Sequence, residues 1–144
     1  MMGPLTIDAS VFLNAFNPGE DGHEISKELL ARLLRLGVPL NAPSLLLPEL
    51  ASAIRRGLDN PDLARQFARA ISHLPHLTLI PLDELLAQQA VDAAALYRLR
   101  GSDAVYAAVA QRFACPLITL DKQQHDRVRA ELKTFYPAGL LPEI

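Results

Sequence analysis

The feature that most constrains the fold is the alternation of short apolar segments with longer stretches of helical periodicity. Leu5, Thr6 and Ile7, for example, form an apolar run that is too short for a helix and is typical of a buried strand. Strands alternating with helices predict parallel pairing and an α/β sandwich with helices on both sides of the sheet. The predicted strands and extended segments are 5–7, 38–43, 77–81, 115–121 and 133–136.

Between these segments, several predicted helices have recognisable ends. Ser44 and Ser102 stand where an N-terminal cap is expected, and Asn60-Pro61 is a cap followed by a favoured first helical residue. Gly37 is a C-terminal signal, and Gly101 marks the end of an alanine-rich helix. The predicted helices are 10–16, 24–36, 44–57, 60–73, 83–99, 103–113 and a short polar helix after 121.

Composition limits the class of protein. The 144 residues suit a single domain, 1–144, in which half of the residues are apolar and 21% are charged. The formal net charge of −2 provides no general attraction to nucleic acid, so a polyanionic partner needs a local basic patch or metal ions. The single cysteine, Cys115, excludes an internal disulfide. Because there is neither a signal peptide nor a membrane-length apolar run, we expect a soluble cytoplasmic protein.

Two apolar segments are followed by carboxylates. Asp8 comes directly after the first segment, and Asp121 ends the segment that begins at Cys115. In an open parallel sheet, ligands bind beyond the carboxyl ends of the strands where the strand order reverses, so both acids can meet in one crevice. The alternative is that each aspartate caps the helix that follows it, because aspartate is a favoured N-terminal cap.

Two further acids lie on predicted helices. Asp103 heads a helix that is apolar nearly all round, which predicts burial; the alternative is a favourable contact between its charge and the helix dipole. Glu49 borders the apolar stripe of its helix, where it either extends to solvent or has a partner.

Gathering four such carboxylates is unfavourable unless cations neutralise them. Oxygen ligands without nearby histidine or cysteine suit Mg²⁺ or Mn²⁺ rather than zinc. Ions of this kind activate water for in-line attack on a phosphodiester. The acids therefore predict a metal site with hydrolytic chemistry.

The segments "IDAS", "PSLLLPELASAIRR", "RGSDAVYAAVA" and "LITLD" resemble, in order and spacing, the PIN-domain nucleases. The resemblance is greatest to the VapC-like toxin ribonucleases of toxin–antitoxin pairs, and it runs from Thr6 to about Tyr136. It implies a three-layer α/β/α domain with a parallel sheet of strand order 3-2-1-4-5. In that order the first and fourth strands are neighbours, which brings Asp8 and Asp121 together.

The resemblance also implies roles for individual residues. The catalytic and metal-binding acids would be Asp8, Glu49, Asp103 and Asp121, with Mg²⁺ or Mn²⁺ as the cofactor. Ser10 and Thr119 match small polar residues that orient a carboxylate or a water. The alternatives are a helix cap for Ser10 and strand packing for Thr119.

Basic residues near these motifs are candidates for contacts with RNA phosphates. Arg98, Arg100 and Lys122 stand beside Asp103 or Asp121, and Arg55 and Arg56 end the helix of Glu49. The alternative is that these cations complement helix C-termini, which is the preferred interpretation for Arg55.

The leading hypothesis is a metal-dependent ribonuclease, the toxin of a pair, with RNA and a small antitoxin as partners. The apolar N-terminal helices and the leucines of 29–36 offer surfaces for an antitoxin helix or a homodimer, although most of this apolar area is expected to be core. The alternatives are a non-catalytic PIN-like scaffold and a housekeeping RNA-processing nuclease. A phosphatase of the haloacid-dehalogenase type is disfavoured, because Ser10 stands where that family has a second aspartate.

Overall fold

A single parallel sheet of five strands forms the centre of the computed structural model, which describes residues 2–144; Met1, the first residue of the predicted domain, lies outside the described residues. The strand order is β3-β2-β1-β4-β5, which confirms the order implied by the resemblance. The strands are β1 (Leu5–Ile7), β2 (Leu40–Pro43), β3 (Leu77–Ile80), β4 (Leu117–Ile118) and β5 (Thr134–Phe135).

Helices cover both faces of this sheet. The chain adds strands in one direction from β1 to β3 and then crosses to the other side of β1, so right-handed connections put the first four helices on one face and the next three on the opposite face. The helices are α1 (Ala9–Phe16), α2 (His23–Arg35), α3 (Leu46–Leu58), α4 (Pro61–Ser72), α5 (Glu84–Tyr97), α6 (Gly101–Arg112), α7 (Lys122–Val128) and α8 (Pro137–Leu140), followed by a 3-10 turn, Leu141–Glu143. Contacts of α1 with α2 and α3, and of α5 with α6, agree with this layering.

The core confirms the prediction that α6 is buried. Every residue from 103 to 110 is buried, and α6 packs against β1, β2 and β4. Leu29 and Leu33 of α2 are also fully buried, whereas Leu36 is exposed. Leu29 and Leu33 are therefore part of the core, as expected for most of the apolar area of 29–36, and Leu36 is left as an exposed leucine of this segment.

Helix boundaries are partly as predicted. Asn60 caps α4 by accepting the backbone N–H of Leu63, and Gly37 follows α2 with the positive φ that favours glycine. Ser44, however, is not a cap: α3 begins at Leu46 after a turn and has no side-chain cap. The bounds of α1, α2 and α4 lie within one residue of the predicted ones. No helix among residues 2–144 is long and apolar enough to cross a membrane.

The junction between α5 and α6 differs from the prediction. α5 ends at Tyr97, because Arg98 takes a left-handed conformation with φ of 57° that a helix cannot continue. Gly101 is the first residue of α6 rather than a terminator, and Ser102 lies inside that helix rather than capping it. Asp103 consequently lies within the first turn of α6 instead of at its head.

Candidate active site

All four predicted acids line one cavity of about 490 Å³ at the carboxyl ends of the central strands. Asp8 directly follows β1, and Asp121 lies three residues beyond β4, which pairs in parallel with β1. The strand order reverses at this point, where open α/β sheets bind their ligands. Asp103 comes from the first turn of α6 and Glu49 from the first turn of α3, so four separate segments converge.

Asp8 and Asp121 are helix caps as well as cavity residues. Asp8 Oδ2 accepts the backbone N–H of Ser10 at 3.1 Å, and Asp121 Oδ1 accepts that of Gln124 at 2.9 Å. Each bond satisfies a free N–H at the start of a helix. The alternative that each aspartate caps the following helix is therefore correct for both residues. Capping engages one oxygen of each carboxylate, so it is compatible with a second contact in the cavity.

Thr119 holds the loop that carries Asp121. Its Oγ1 accepts the backbone N–H of Asp121 at 3.0 Å and lies 2.9 Å from Gln124 Oε1 and 3.3 Å from Asp8 Oδ2. Ser10 Oγ accepts the backbone N–H of Leu120 at 3.0 Å. The N–H of Thr119 still bonds to the carbonyl of Phe135, whereas the N–H groups of Leu120 and Asp121 bond to side chains, so β4 ends before the predicted residue 121.

These contacts also decide between the alternatives for two residues. Asp8, not Ser10, occupies the cap position of α1, so the alternative that Ser10 caps this helix is wrong. Thr119 is fully buried and lies beyond the end of β4, where its hydroxyl rather than its methyl group makes the contacts described above. Both side chains fix the position of the 119–121 loop.

Two further residues belong to the site but were not singled out from the sequence. Tyr106, fully buried on α6, donates a hydrogen bond from its hydroxyl to Glu49 Oε1 at 2.7 Å. Gln124, also fully buried, donates from Nε2 to the backbone carbonyl of Asp103 at 3.2 Å. Signals existed for both: a buried tyrosine usually needs a hydroxyl partner, and Asp121-x-x-Gln124 has the spacing of a capping box.

The acids lie in an environment that disfavours their charge. Burial raises the pKa of Asp8, of Glu49 and of Asp103 above the usual range of a carboxyl group. Repulsion adds to burial, since Asp103 raises the pKa of Asp8 and both of these acids raise the pKa of Glu49. A cation placed among them would relieve both effects.

Two arginines line the same cavity. Arg100 donates from Nε to Asp103 Oδ2 at 3.0 Å and from Nη2 to Asp121 Oδ2 at 2.8 Å. The hydrogen bond and the charge of Asp103 raise the pKa of Arg100. Arg56 donates to the hydroxyl of Ser52, one turn earlier on α3.

The other predicted cations are not among the residues that line the cavity. Lys122 Nζ lies 3.0 Å from Asp126 Oδ2 on the exposed side of α7. Arg55 pairs with Asp59 at the end of α3. Arg98 is exposed, and its backbone carbonyl accepts a hydrogen bond from Arg127.

The donor atoms of the cavity suit a divalent cation in their chemistry. Carboxylate oxygens from four segments are present, and neither histidine nor cysteine lines the cavity, a donor set typical of Mg²⁺ or Mn²⁺ sites. Among residues 2–144, no three Asp, Glu, His or Cys side chains are arranged as ligands of one ion. Asp103 and Asp121 each direct one oxygen to Arg100 instead.

Solved structures with a similar fold include a toxin and a toxin–antitoxin complex. VapC20 of Mycobacterium tuberculosis, a sarcin-ricin loop cleaving toxin, aligns with a TM-score of 0.73 and 18% identity over 89% of this chain and 95% of that chain. FitAcB of Neisseria gonorrhoeae aligns with a TM-score of 0.69 and 19% identity over 93% and 98% of the two chains. A toxin–antitoxin complex of Klebsiella pneumoniae aligns with a TM-score of 0.64 and 17% identity over 92% and 97%.

Sequence comparison gives the family. At the identities above, the structural likeness shows the shared fold, and a comparison with curated proteins found no significant match. The model of the PIN domain family matches residues 5–131, a range that includes all four cavity acids. This chain therefore belongs to the PIN domain family.

Proposed function

We propose that this protein is a metal-dependent ribonuclease that hydrolyses RNA phosphodiesters. The observation that carries the proposal is the convergence of Asp8, Glu49, Asp103 and Asp121 on one cavity in a chain of the PIN domain family. These four acids would hold Mg²⁺ or Mn²⁺. A bound ion of this kind supplies a water of lowered pKa and neutralises charge that develops on the phosphate.

The chain's own residues position the acids for this chemistry. Asp8 and Asp103 are each only 7% exposed, so their oxygens are shielded from bulk water and directed into the cavity. Tyr106 fixes one oxygen of Glu49, and Thr119 and its neighbours fix the loop of Asp121. Arg56, with Arg100, supplies positive charge at the cavity wall where an RNA phosphate can bind.

The test is cleavage of a mixed pool of single-stranded and structured RNAs with Mg²⁺ or Mn²⁺. EDTA and the Asp8→Asn variant should each abolish cleavage, whereas Asp92→Asn, which removes an exposed acid of α5, should not. Cleavage that survives both EDTA and Asp8→Asn would overturn the proposal. RNA binding without cleavage in either metal would favour the non-catalytic scaffold instead.

We also propose that a small antitoxin is the protein partner. The Klebsiella pneumoniae structure that resembles this chain is itself a toxin–antitoxin complex. An apolar groove between α1 and α3, with Phe16, Ile54 and Leu58 in its walls, adjoins the acidic cavity, because Leu13 and Ala53 line both. A partner helix in this groove can extend a basic residue toward the acids.

Co-expression with the product of the adjacent gene tests this partner. If the protein is a toxin acting on cytoplasmic RNA, its expression alone should arrest growth, and the partner should restore it. Leu58→Asp, at a side chain that is 55% exposed, should weaken the complex without unfolding the chain. Absence of any growth effect would favour a housekeeping nuclease. A homodimer stays a further prediction, for which sedimentation velocity is the direct measurement.

A further inference from the structure

Arg100 is the one cavity cation, among the described residues, that contacts two of the four acids. Its Nε and Nη2 atoms engage Asp103 and Asp121 at 3.0 and 2.8 Å, so a single guanidinium bridges α6 and the loop after β4. The two nitrogen donors have the fixed fork geometry that lets arginine bind two oxygens at once. Arg56, the other arginine of the cavity, instead bonds to the Ser52 hydroxyl.

The oxygens that Arg100 bridges belong to two of the four acids that would hold a divalent cation. Asp103 is buried, and its side chain directs Oδ2 to Arg100; Asp121 uses Oδ1 to cap α7 and Oδ2 to bind Arg100. The described contacts of Asp121 therefore engage both of its oxygens. A cation that binds Oδ2 of either acid would lie directly against the guanidinium, and repulsion between the two positive charges favours movement of the guanidinium away from the acids.

The side chain of Arg100 is free to make such a move. It is 66% exposed, unlike the acids that it bridges, and it stands at the residue that precedes α6 rather than inside the helix. Water competes for the exposed guanidinium, which weakens these ion pairs relative to fully buried ones. Displacement of the guanidinium does not leave the two acids unpaired when a divalent cation takes its place.

We propose that Arg100 is a built-in counter-ion of the active site, which competes with the divalent cation for Asp103 and Asp121 and is released toward the substrate phosphate when the cation binds. The inference rests on the proposed function, since it assumes a metal at these acids. It makes Arg100 a positioning residue whose two ion pairs lower the affinity for metal while its charge raises the affinity for RNA.

The experiment is calorimetric titration of Mn²⁺ into the full chain and two variants. Arg100→Gln should bind Mn²⁺ about threefold to tenfold more tightly, because it removes the two ion pairs between an exposed arginine and the acids. Arg98→Gln is the matched control, because it removes an exposed charge two residues away that pairs with neither acid among the described residues. Thermal melting of both variants checks that the fold is retained.

A second measurement tests whether the released guanidinium of Arg100 contributes to RNA binding. Binding of a non-cleavable 2′-O-methyl RNA should be strengthened by Mn²⁺ in the unmodified protein, and this strengthening should be smaller in Arg100→Gln. The role proposed for Arg100 would be overturned if the unmodified protein and Arg100→Gln bound Mn²⁺ with equal affinity, or if Arg98→Gln raised the Mn²⁺ affinity as much as Arg100→Gln. Either outcome would leave the proposed metal-dependent function in place. Absence of Mn²⁺ binding in every variant would overturn the proposed metal-dependent function and the inference with it.

Discussion

Tyr106 donates a 2.7 Å hydrogen bond from its hydroxyl to Oε1 of Glu49, joining α6 to α3. The tyrosine is fully buried, and burial raises its pKa far above the usual range, so the hydroxyl keeps its proton and remains a donor. Glu49 is thereby held at the cavity wall, although the residue is only half-buried on an amphipathic helix.

Tyr106→Phe should therefore change how Glu49 titrates. The hydrogen bond from Tyr106 lowers the pKa of Glu49 against the larger effect of burial, so its loss should raise that pKa further. We expect the acid limb of the pH dependence of Mn²⁺ binding to move to higher pH, together with a loss of about 1 kcal/mol in the free energy of unfolding. Tyr97→Phe, which removes a surface hydroxyl, is the control. An unmoved acid limb would contradict this role.

Asp8→Asn should stabilise the fold at neutral pH when divalent cations are removed by EDTA. Burial raises the pKa of Asp8 in the folded state, so the folded chain binds that proton more tightly than the unfolded chain. The contribution of this group is present below its unfolded pKa of about 4 and is lost as pH rises through the higher folded value. Asparagine carries no charge and can still accept the Ser10 N–H as a cap.

The expected gain in the free energy of unfolding for Asp8→Asn is about 0.5–2 kcal/mol at pH 7.5, within the range of common stabilising substitutions. Denaturant titrations at pH 7.5 and pH 3.5 provide the measurement, and the gain should disappear at the lower pH. Asp92→Asn, on the exposed side of α5, should change stability little at either pH. If Asp8→Asn lost stability at both pH 7.5 and pH 3.5, the charge of Asp8 would not destabilise the folded chain, which would contradict this prediction.

Thr119→Val should destabilise the chain by about 1–3 kcal/mol, because it leaves buried polar atoms without partners. The affected groups are the backbone N–H of Asp121 and the side-chain oxygen of Gln124. Thr119→Ser keeps the hydroxyl and should retain most of the stability, and Thr78→Val, on the exposed side of β3, should have little effect. Thermal melting of the three variants measures these changes. Equal losses of stability for Thr119→Val and Thr119→Ser would mean that packing, not the hydroxyl, matters at this position.

The parts of the fold and of the site that could be predicted from sequence are those that depend on local pattern. The strand that precedes Asp8, the apolar helix of Asp103 and the cap at Asn60 each follow from a few neighbouring residues, and the structure contains all three. Ser44 failed as a cap because the chain turns once more after β2, and its carbonyl accepts the N–H of Leu47. That choice depends on how α3 packs, which the local sequence does not specify.

The contacts that complete the site lie beyond local pattern. Arg100 reaches an acid 21 residues away, and Tyr106 reaches Glu49 across 57 residues. Each contact depends on the relative placement of two elements to within an ångström or so and on a single side-chain rotamer, and neither is encoded by periodicity or spacing. Residue type alone indicates only that a buried tyrosine needs a partner, not which one.

Arg56 and Arg55 provide a matched pair for testing where RNA binds. Both side chains are exposed near the end of α3, but Arg56 lines the cavity and Arg55 pairs with Asp59 outside it. Arg56→Gln should weaken RNA binding and lower the steepness of its salt dependence by about 0.7, the value for one phosphate contact on a single strand. Arg55→Gln removes the same charge one residue away, so a general electrostatic effect would appear in both variants. Affinities measured across a salt series give the slopes, and equal slopes would place the RNA elsewhere than the acidic cavity.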